Sequence, residues 1–270
     1  MKKSTLFWFL VGLIIILNFI LYYSGLEDTI ILYGSNILPI ICALISTIIL
    51  YFTITKFKKL DYIKFAWMMI LLGIFLYFLG ESVYAILELG FGVDMNETYP
   101  SVADYFWSLG YIPLFIGVVV MYNGYKKSGL SLGNSWVYSI ITIFFIVILY
   151  FIIHFLLWPI IIDSETGFLE KFFYLFYPLA DILLIFPTFI LIYITSLFGK
   201  GSISKPWKYL SLGFISFAFA DLIYSYLVWQ DLYGICNIID IAWNFGYLLM
   251  GLAGLHQMEL LDYIKKEVDE

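Results

Sequence analysis

The chain is 270 residues long, 63% hydrophobic and only 13% charged, with a mean hydropathy of +0.97 and a formal net charge of −6. Soluble domains carry roughly 25% charged residues, so an ordinary soluble globular domain is excluded. All 14 basic residues are lysines, which removes any arginine clamp for phosphate or planar carboxylates, and the acidic balance argues against a nucleic-acid partner.

A run of about 20 apolar residues crosses roughly 30 Å of hydrocarbon. The chain offers eight such runs in order: Leu6 to Ser24, Ile30 to Ile54, Tyr62 to Leu87, Val102 to Tyr122, Trp136 to Ile160, Phe172 to Phe198, Trp207 to Trp229 and Ile235 to Gln257. The first follows Lys2 and Lys3 but is of spanning length and lacks a small-residue cleavage pattern, so it reads as a retained helix. The residues after Leu260 read as a short charged tail. A single integral membrane domain, residues 1–270, is expected.

Lysine placement orients the spans. Lys2 and Lys3, then Lys56, Lys58, Lys59 and Lys64, then Lys126 and Lys127, then Lys200, Lys205 and Lys208, then Lys265 and Lys266 fall at the N-terminus or on every second connection. Lys171 is the exception. The alternate connections are acidic, with Glu27, Asp28, Glu88, Asp94, Glu97, Asp163, Glu165, Glu170 and Asp231. By the positive-inside rule both termini are cytoplasmic in a multi-pass protein of the cell membrane.

Two pairs of spans repeat each other. Trp67, Leu72, Gly73, Glu81 and Tyr84 match Trp207, Leu212, Gly213, Asp221 and Tyr224 at an offset of 140. Asp104, Trp107, Gly110 and Tyr111 match Asp240, Trp243, Gly246 and Tyr247 at an offset of 136. Duplication is the simplest account, giving two four-helix halves, residues 1–130 and 131–270. An even number of spans per half makes the copies parallel repeats about an axis along the membrane normal.

Five acids fall within the spans: Glu81, Asp104, Asp181, Asp221 and Asp240. At 1.5 Å of rise per residue they lie roughly 5 to 15 Å below the outer ends of their helices, in one layer of the outer half of the bilayer. A carboxylate at a helix centre costs about 2.5 to 3.5 kcal/mol on insertion scales, so the five are expected to face inward. Asn18, Asn36, His154, Tyr177 and Tyr224 reach the same layer, and Tyr84, on the inward stripe Tyr77, Glu81, Tyr84 and Glu88, is a further candidate. His154 is the one titratable basic side chain there and a candidate partner for an acid. Glu81 is expected near Asp104, and Asp221 near Asp240, because each pair lies on consecutive antiparallel spans at similar depth.

Competing readings stay open. Asp104 and Asp240 lie in first helical turns, where a carboxylate caps free N–H groups; Glu81 and Asp221 lie near helix ends where the dipole disfavours an anion, which favours a ligand site or an inter-helix link. Pro178 beside Asp181 suits a kink that lines a cavity as well as a purely structural bend. The aromatic residues fit an interfacial belt as well as a cation cage. Any metal is left unspecified. Cys42 and Cys236 are too few for a disulfide framework and read as packing residues. Asn96 begins an Asn-Glu-Thr glycosylation pattern on an outer connection. No catalytic or cofactor-binding motif is present, so neither an enzymatic activity nor a cofactor is expected.

The phrases "YPSVADYFWSLGY" (99–111), "FYPLADILL", "GESVY" and "ADLIY" resemble a multi-helix membrane sensor-like module of prokaryotes, often found ahead of diguanylate cyclase, cyclic-di-GMP phosphodiesterase or histidine kinase domains. This sequence carries no such output domain, so the resemblance implies signalling through a separate cytoplasmic partner or a homo-oligomer. The leading expectation is a sensor-like or ligand-binding membrane module with an acidic pocket. The alternative is a transporter or channel for a cation or cationic solute. A third is a structural protein whose acids are polar glue.

Overall fold

A computed structural model describes residues 3–95, 98–198, 202–230, 232–233 and 238–269, with side chains to residue 266. Asn96, with its glycosylation pattern, and Cys236 lie outside the described residues. Among those described the chain is helical, without strands. The long helices are α1 Lys3–Tyr23, α2 Asp28–Thr55, α3 Tyr62–Gly90, α4 Val102–Lys127, α5 Ser135–Ile162, α6 Phe168–Ser196, α7 Lys205–Trp229 and α8 Asp240–Asp269. Helices α3 and α5 contain widened π-helical turns at Ile86–Gly90 and Ile152–Leu157, a feature frequent at functional sites. Helix α6 runs on through Pro178 and Pro187.

Seven helices, α1 to α7, are long and apolar enough to cross a membrane. The chain therefore has the helical pattern of a polytopic membrane protein. Helix α8 begins close to the eighth predicted span but is less apolar, and the expected short tail is the continuation of this helix to Asp269. The physical reason is its position. Packed against α1, α2 and α7, it has Tyr247, Leu248, Met250, Leu252 and Ala253 almost wholly buried, so its apolar content need not cover a lipid-facing surface. Past the apolar part, Glu259 accepts hydrogen bonds from the Ser4 amide and hydroxyl at 3.0 Å, and Asp262 pairs with Lys56 at 3.0 Å.

The centre of the bundle is built from α3, α4, α7 and α8. The α3–α4 and α7–α8 pairs cross at glycines. A Cβ on Gly73 would lie 2.9 Å from the Gly110 carbonyl oxygen, and one on Gly110 3.0 Å from the Gly73 oxygen. In the other pair, a Cβ on Gly213 would lie 3.0 Å from the Gly246 oxygen, and one on Gly246 3.1 Å from the Gly213 oxygen. Small residues at a crossing let backbones approach and pack closely where lipid supplies no hydrophobic driving force between helices. The fully buried Trp67 and Trp207 meet across the centre with ring centroids 5.6 Å apart.

Outside this core, α2 packs on α3 and α8, while α6 packs on α7 and α4. Helix α5 is peripheral, touching α6 through Phe145, which meets Phe186 and Phe189 at 5.4 and 5.3 Å. The arrangement leaves one end of the bundle, where α3 and α7 finish and α2, α4, α6 and α8 begin, to house Glu81, Asp104, Asp221 and Asp240.

Candidate functional site

At that end the helices enclose a cavity of about 150 Å³. Its α3 wall is the stripe Tyr77, Glu81, Tyr84 and Glu88, whose spacing of four, three and four residues keeps one helical face toward the centre. Asp104 and Trp107 enter from α4, Asp221 and Tyr224 from α7, and Asp240 and Trp243 from α8. Asn36 lines it from α2 and Tyr177 from α6. Although enclosed by the helices, Glu81, Tyr84, Trp107, Asp221, Tyr224 and Trp243 all remain partly accessible, because they face this space.

The acids divide by how fully their oxygens are bonded. Asp104 is at the third position of α4 and forms a capping box with Ser101: its Oδ2 accepts from the Ser101 amide at 2.7 Å and hydroxyl at 3.1 Å. Its Oδ1 accepts from the Tyr177 hydroxyl at 2.8 Å. Asp240, the first described residue of α8, accepts from Tyr22 at 2.9 Å on Oδ2 and from Tyr233 at 2.7 Å on Oδ1. Both oxygens of Asp221 are also bonded, to the Trp243 indole at 2.6 Å and the Tyr111 hydroxyl at 3.2 Å.

Glu81 and Glu88 are different. Glu81 accepts from the Tyr247 hydroxyl at 2.6 Å on Oε1, and Glu88 from the Asn36 amide at 2.5 Å on Oε2. Among the described residues neither accepts a second hydrogen bond on its other oxygen, and the unpartnered indole N–H of Trp107 lies beside Glu81. The side chains above them are likewise open: the hydroxyls of Tyr84 and Tyr224 make no hydrogen bond to the described residues.

Two of these bonds cross between equivalent positions. Tyr111 on α4 donates to Asp221 on α7, and Tyr247 on α8 donates to Glu81 on α3. Tyr111 and Tyr247 are related by the offset of 136, Glu81 and Asp221 by the offset of 140. Each helix pair thus supplies the hydroxyl that holds the other pair's acid.

The other expected site residues fall as follows. Asp181 does not line the cavity; it is fully buried behind it, accepting from the Tyr111 hydroxyl at 2.9 Å. Asp221 and Asp240, expected near each other, line the same cavity, and Asp221 also shares the Tyr111 hydroxyl with Asp181. Glu81 and Asp104, likewise expected near each other, line it too, with Glu81 held by Tyr247. His154 is not the partner of an acid: it lies exposed on the π-helical turn of α5, stacked on Tyr150 at 5.5 Å. Depth alone suggested that pairing, and the peripheral place of α5 defeats it.

Sequence reasoning leaves Tyr99 and Tyr233 out of the site and counts Glu88 both with an outer connection and on the inward stripe of α3. Tyr99 lines the cavity and stacks on Tyr174, centroids 4.8 Å apart, and Tyr233 holds Asp240. Glu88 lines the cavity as the last member of that stripe. Loop tyrosines carry no such periodic mark.

Chemically, the site is a small chamber of carboxyl groups and aromatic faces with no lysine on its walls among the described residues. Among the described residues no three His, Cys, Asp or Glu side chains converge closely enough to hold one metal ion. Comparison with protein-family models, with curated proteins and with solved structures finds no match to the chain.

Proposed function

We propose that this protein is a ligand-binding, sensor-like module of the cell membrane, built as two parallel four-helix repeats with eight spans and both termini cytoplasmic. In this reading α8 is the eighth span and the chamber opens in the outer half of the bilayer. The lysine distribution supports the orientation. The equivalent glycine crossings and the crossed Tyr111–Asp221 and Tyr247–Glu81 bonds support the duplication.

The observation that carries the functional reading is the meeting of Glu81, Asp104, Asp221 and Asp240, from four helices, around one cavity. Acids that served only as caps would have no reason to share a space lined by aromatic rings. Occupancy would bias the packing of the two helix pairs, whose acids and tyrosines are interlocked, and a separate cytoplasmic partner or a second copy of the chain would read that change.

The test is thermal stability of the purified protein against a panel of metal cations and amines, with Glu81→Gln and Asp221→Asn as controls. A saturable rise in midpoint that Glu81→Gln weakens is expected. Absence of any compound-dependent shift, or shifts indifferent to both substitutions, would remove the binding reading. Uptake of the stabilising compound by proteoliposomes would instead favour the transporter alternative.

A further inference from the structure

We infer that the chamber takes a small organic ammonium ion, its head group beside the open oxygen of Glu81 and the Asn36 side-chain carbonyl and its alkyl groups against the aromatic walls. This rests on the binding reading above and narrows it to a ligand class.

Three observations converge. The first concerns unpartnered polar atoms. Asn36 is 5% exposed and lines the cavity, its amide nitrogen is spent on Glu88 and the Leu32 carbonyl, and its Oδ1 has no hydrogen-bond partner. A buried acceptor left unpaired is destabilising, and a ligand N–H or polarised C–H group facing Asn36 would remove that cost. With the second oxygens of Glu81 and Glu88, the chamber offers acceptors to a donor or a cation.

The second is the pair of aromatic walls. Tyr84 and Trp107 have centroids 6.0 Å apart, and Tyr224 and Trp243, at the equivalent positions, 5.5 Å apart. Ring faces attract alkylammonium groups within about 6 Å of the centroid, and they supply little to a strongly hydrated metal ion.

The third is the exhaustion of the other acids. Asp104, Asp221 and Asp240 each have both oxygens bonded by the protein. A calcium ion takes 6 to 8 oxygen ligands, so what remains suits one soft cation instead of an oxygen cage. Size suits a small head group: a cavity of about 150 Å³ holds a molecule near the size of benzene, which is the scale of tetramethylammonium or choline.

The experiment is a titration of the full chain in detergent, read by tryptophan fluorescence and thermal midpoint, since Trp107 and Trp243 form the walls. The probes are tetramethylammonium, choline, the uncharged choline isostere 3,3-dimethylbutanol, and sodium, potassium and calcium chlorides at matched ionic strength. Saturable responses to the two ammonium ions, with none to the isostere or the metal ions, are expected. Glu81→Gln should weaken choline binding by about tenfold or more, in line with loss of a charged contact. Tyr84→Leu and Tyr224→Leu should each weaken it by about threefold, the low end of a cation–π contact, and His154→Gln should leave it unchanged. The unliganded midpoint of each variant reports folding separately from binding. Equal responses to choline and its isostere, or a response to metal ions alone, would overturn the ammonium assignment while leaving a ligand site standing; silence from every probe would overturn both.

Discussion

Single side chains decide which acids in this protein are structural and which are available. Asp104 and Asp240 share a motif and a place in the first turn of a helix, and both prove to be saturated by neighbours. A glutamate one helix earlier, Glu81, keeps an oxygen open, since Tyr247 supplies its one hydrogen bond among the described residues. Tyr247→Phe removes a hydrogen bond to a carboxyl group buried among helices. If the carboxyl is charged, the bond is worth about 1.5 to 3 kcal/mol, so a lower thermal midpoint is expected, and Glu81→Gln in the Tyr247→Phe background should add less than it does alone. Additive losses in that double-mutant cycle would show that the two groups do not interact.

A second residue-scale case lies outside the spans. Asp163 follows α5, and hydrogen bonds from Thr166 at 2.5 Å, the Trp229 indole at 2.8 Å and the Glu165 amide at 2.9 Å hold its carboxyl down to about 2. Its folded value lies below the ordinary 3.8, so its contribution is present above that value and is lost as pH falls through about 2. The thermal midpoints of the wild type and Asp163→Asn should therefore differ at neutral pH and converge toward pH 2. A difference constant across that range would contradict the tie.

At the scale of elements, the glycine crossings set how closely α3 meets α4 and α7 meets α8. Gly73→Leu and Gly213→Leu each drive a side chain into an opposing backbone carbonyl and its neighbours, and overpacking of this kind costs about 1 to 3 kcal/mol. Comparable losses of stability are expected from the two, measured by thermal melting in detergent; a loss from one alone would mean that the crossings are not equivalent. Helix positions were legible in the sequence because lipid demands long apolar runs. Helix α8 was legible only in part, since a helix wrapped by protein is freed from that demand. The partners of the acids were not legible: depth placed His154 beside them, whereas its azimuth on a peripheral helix turns it away, and one-dimensional spacing cannot say that Tyr111 reaches across to Asp181 and Asp221.

For the whole molecule, offsets of 140 and 136 read from the sequence reappear as matched contacts: the two glycine crossings, the Tyr84–Trp107 and Tyr224–Trp243 pairs, and the crossed tyrosine–acid bonds. The aligned tyrosines were visible in the sequence, but their exchange between halves needs the fold. Peripheral helices depart from the pattern, with α1 packed on α2 and α8 while α5 touches mainly α6. The strongest convergence is at one end of the bundle, where acids from α3, α4, α7 and α8 share a chamber without a lysine among the described residues.

The most direct test of that account is thiol labelling at Tyr84→Cys, in a Cys42→Ser, Cys236→Ser background, in sealed right-side-out membrane vesicles. A cationic, membrane-impermeant methanethiosulfonate should label the site from outside faster than its anionic counterpart of similar size, and choline should slow the cationic reaction. Labelling only after the vesicles are opened, or faster labelling by the anion, would contradict an outward-facing, cation-selecting chamber.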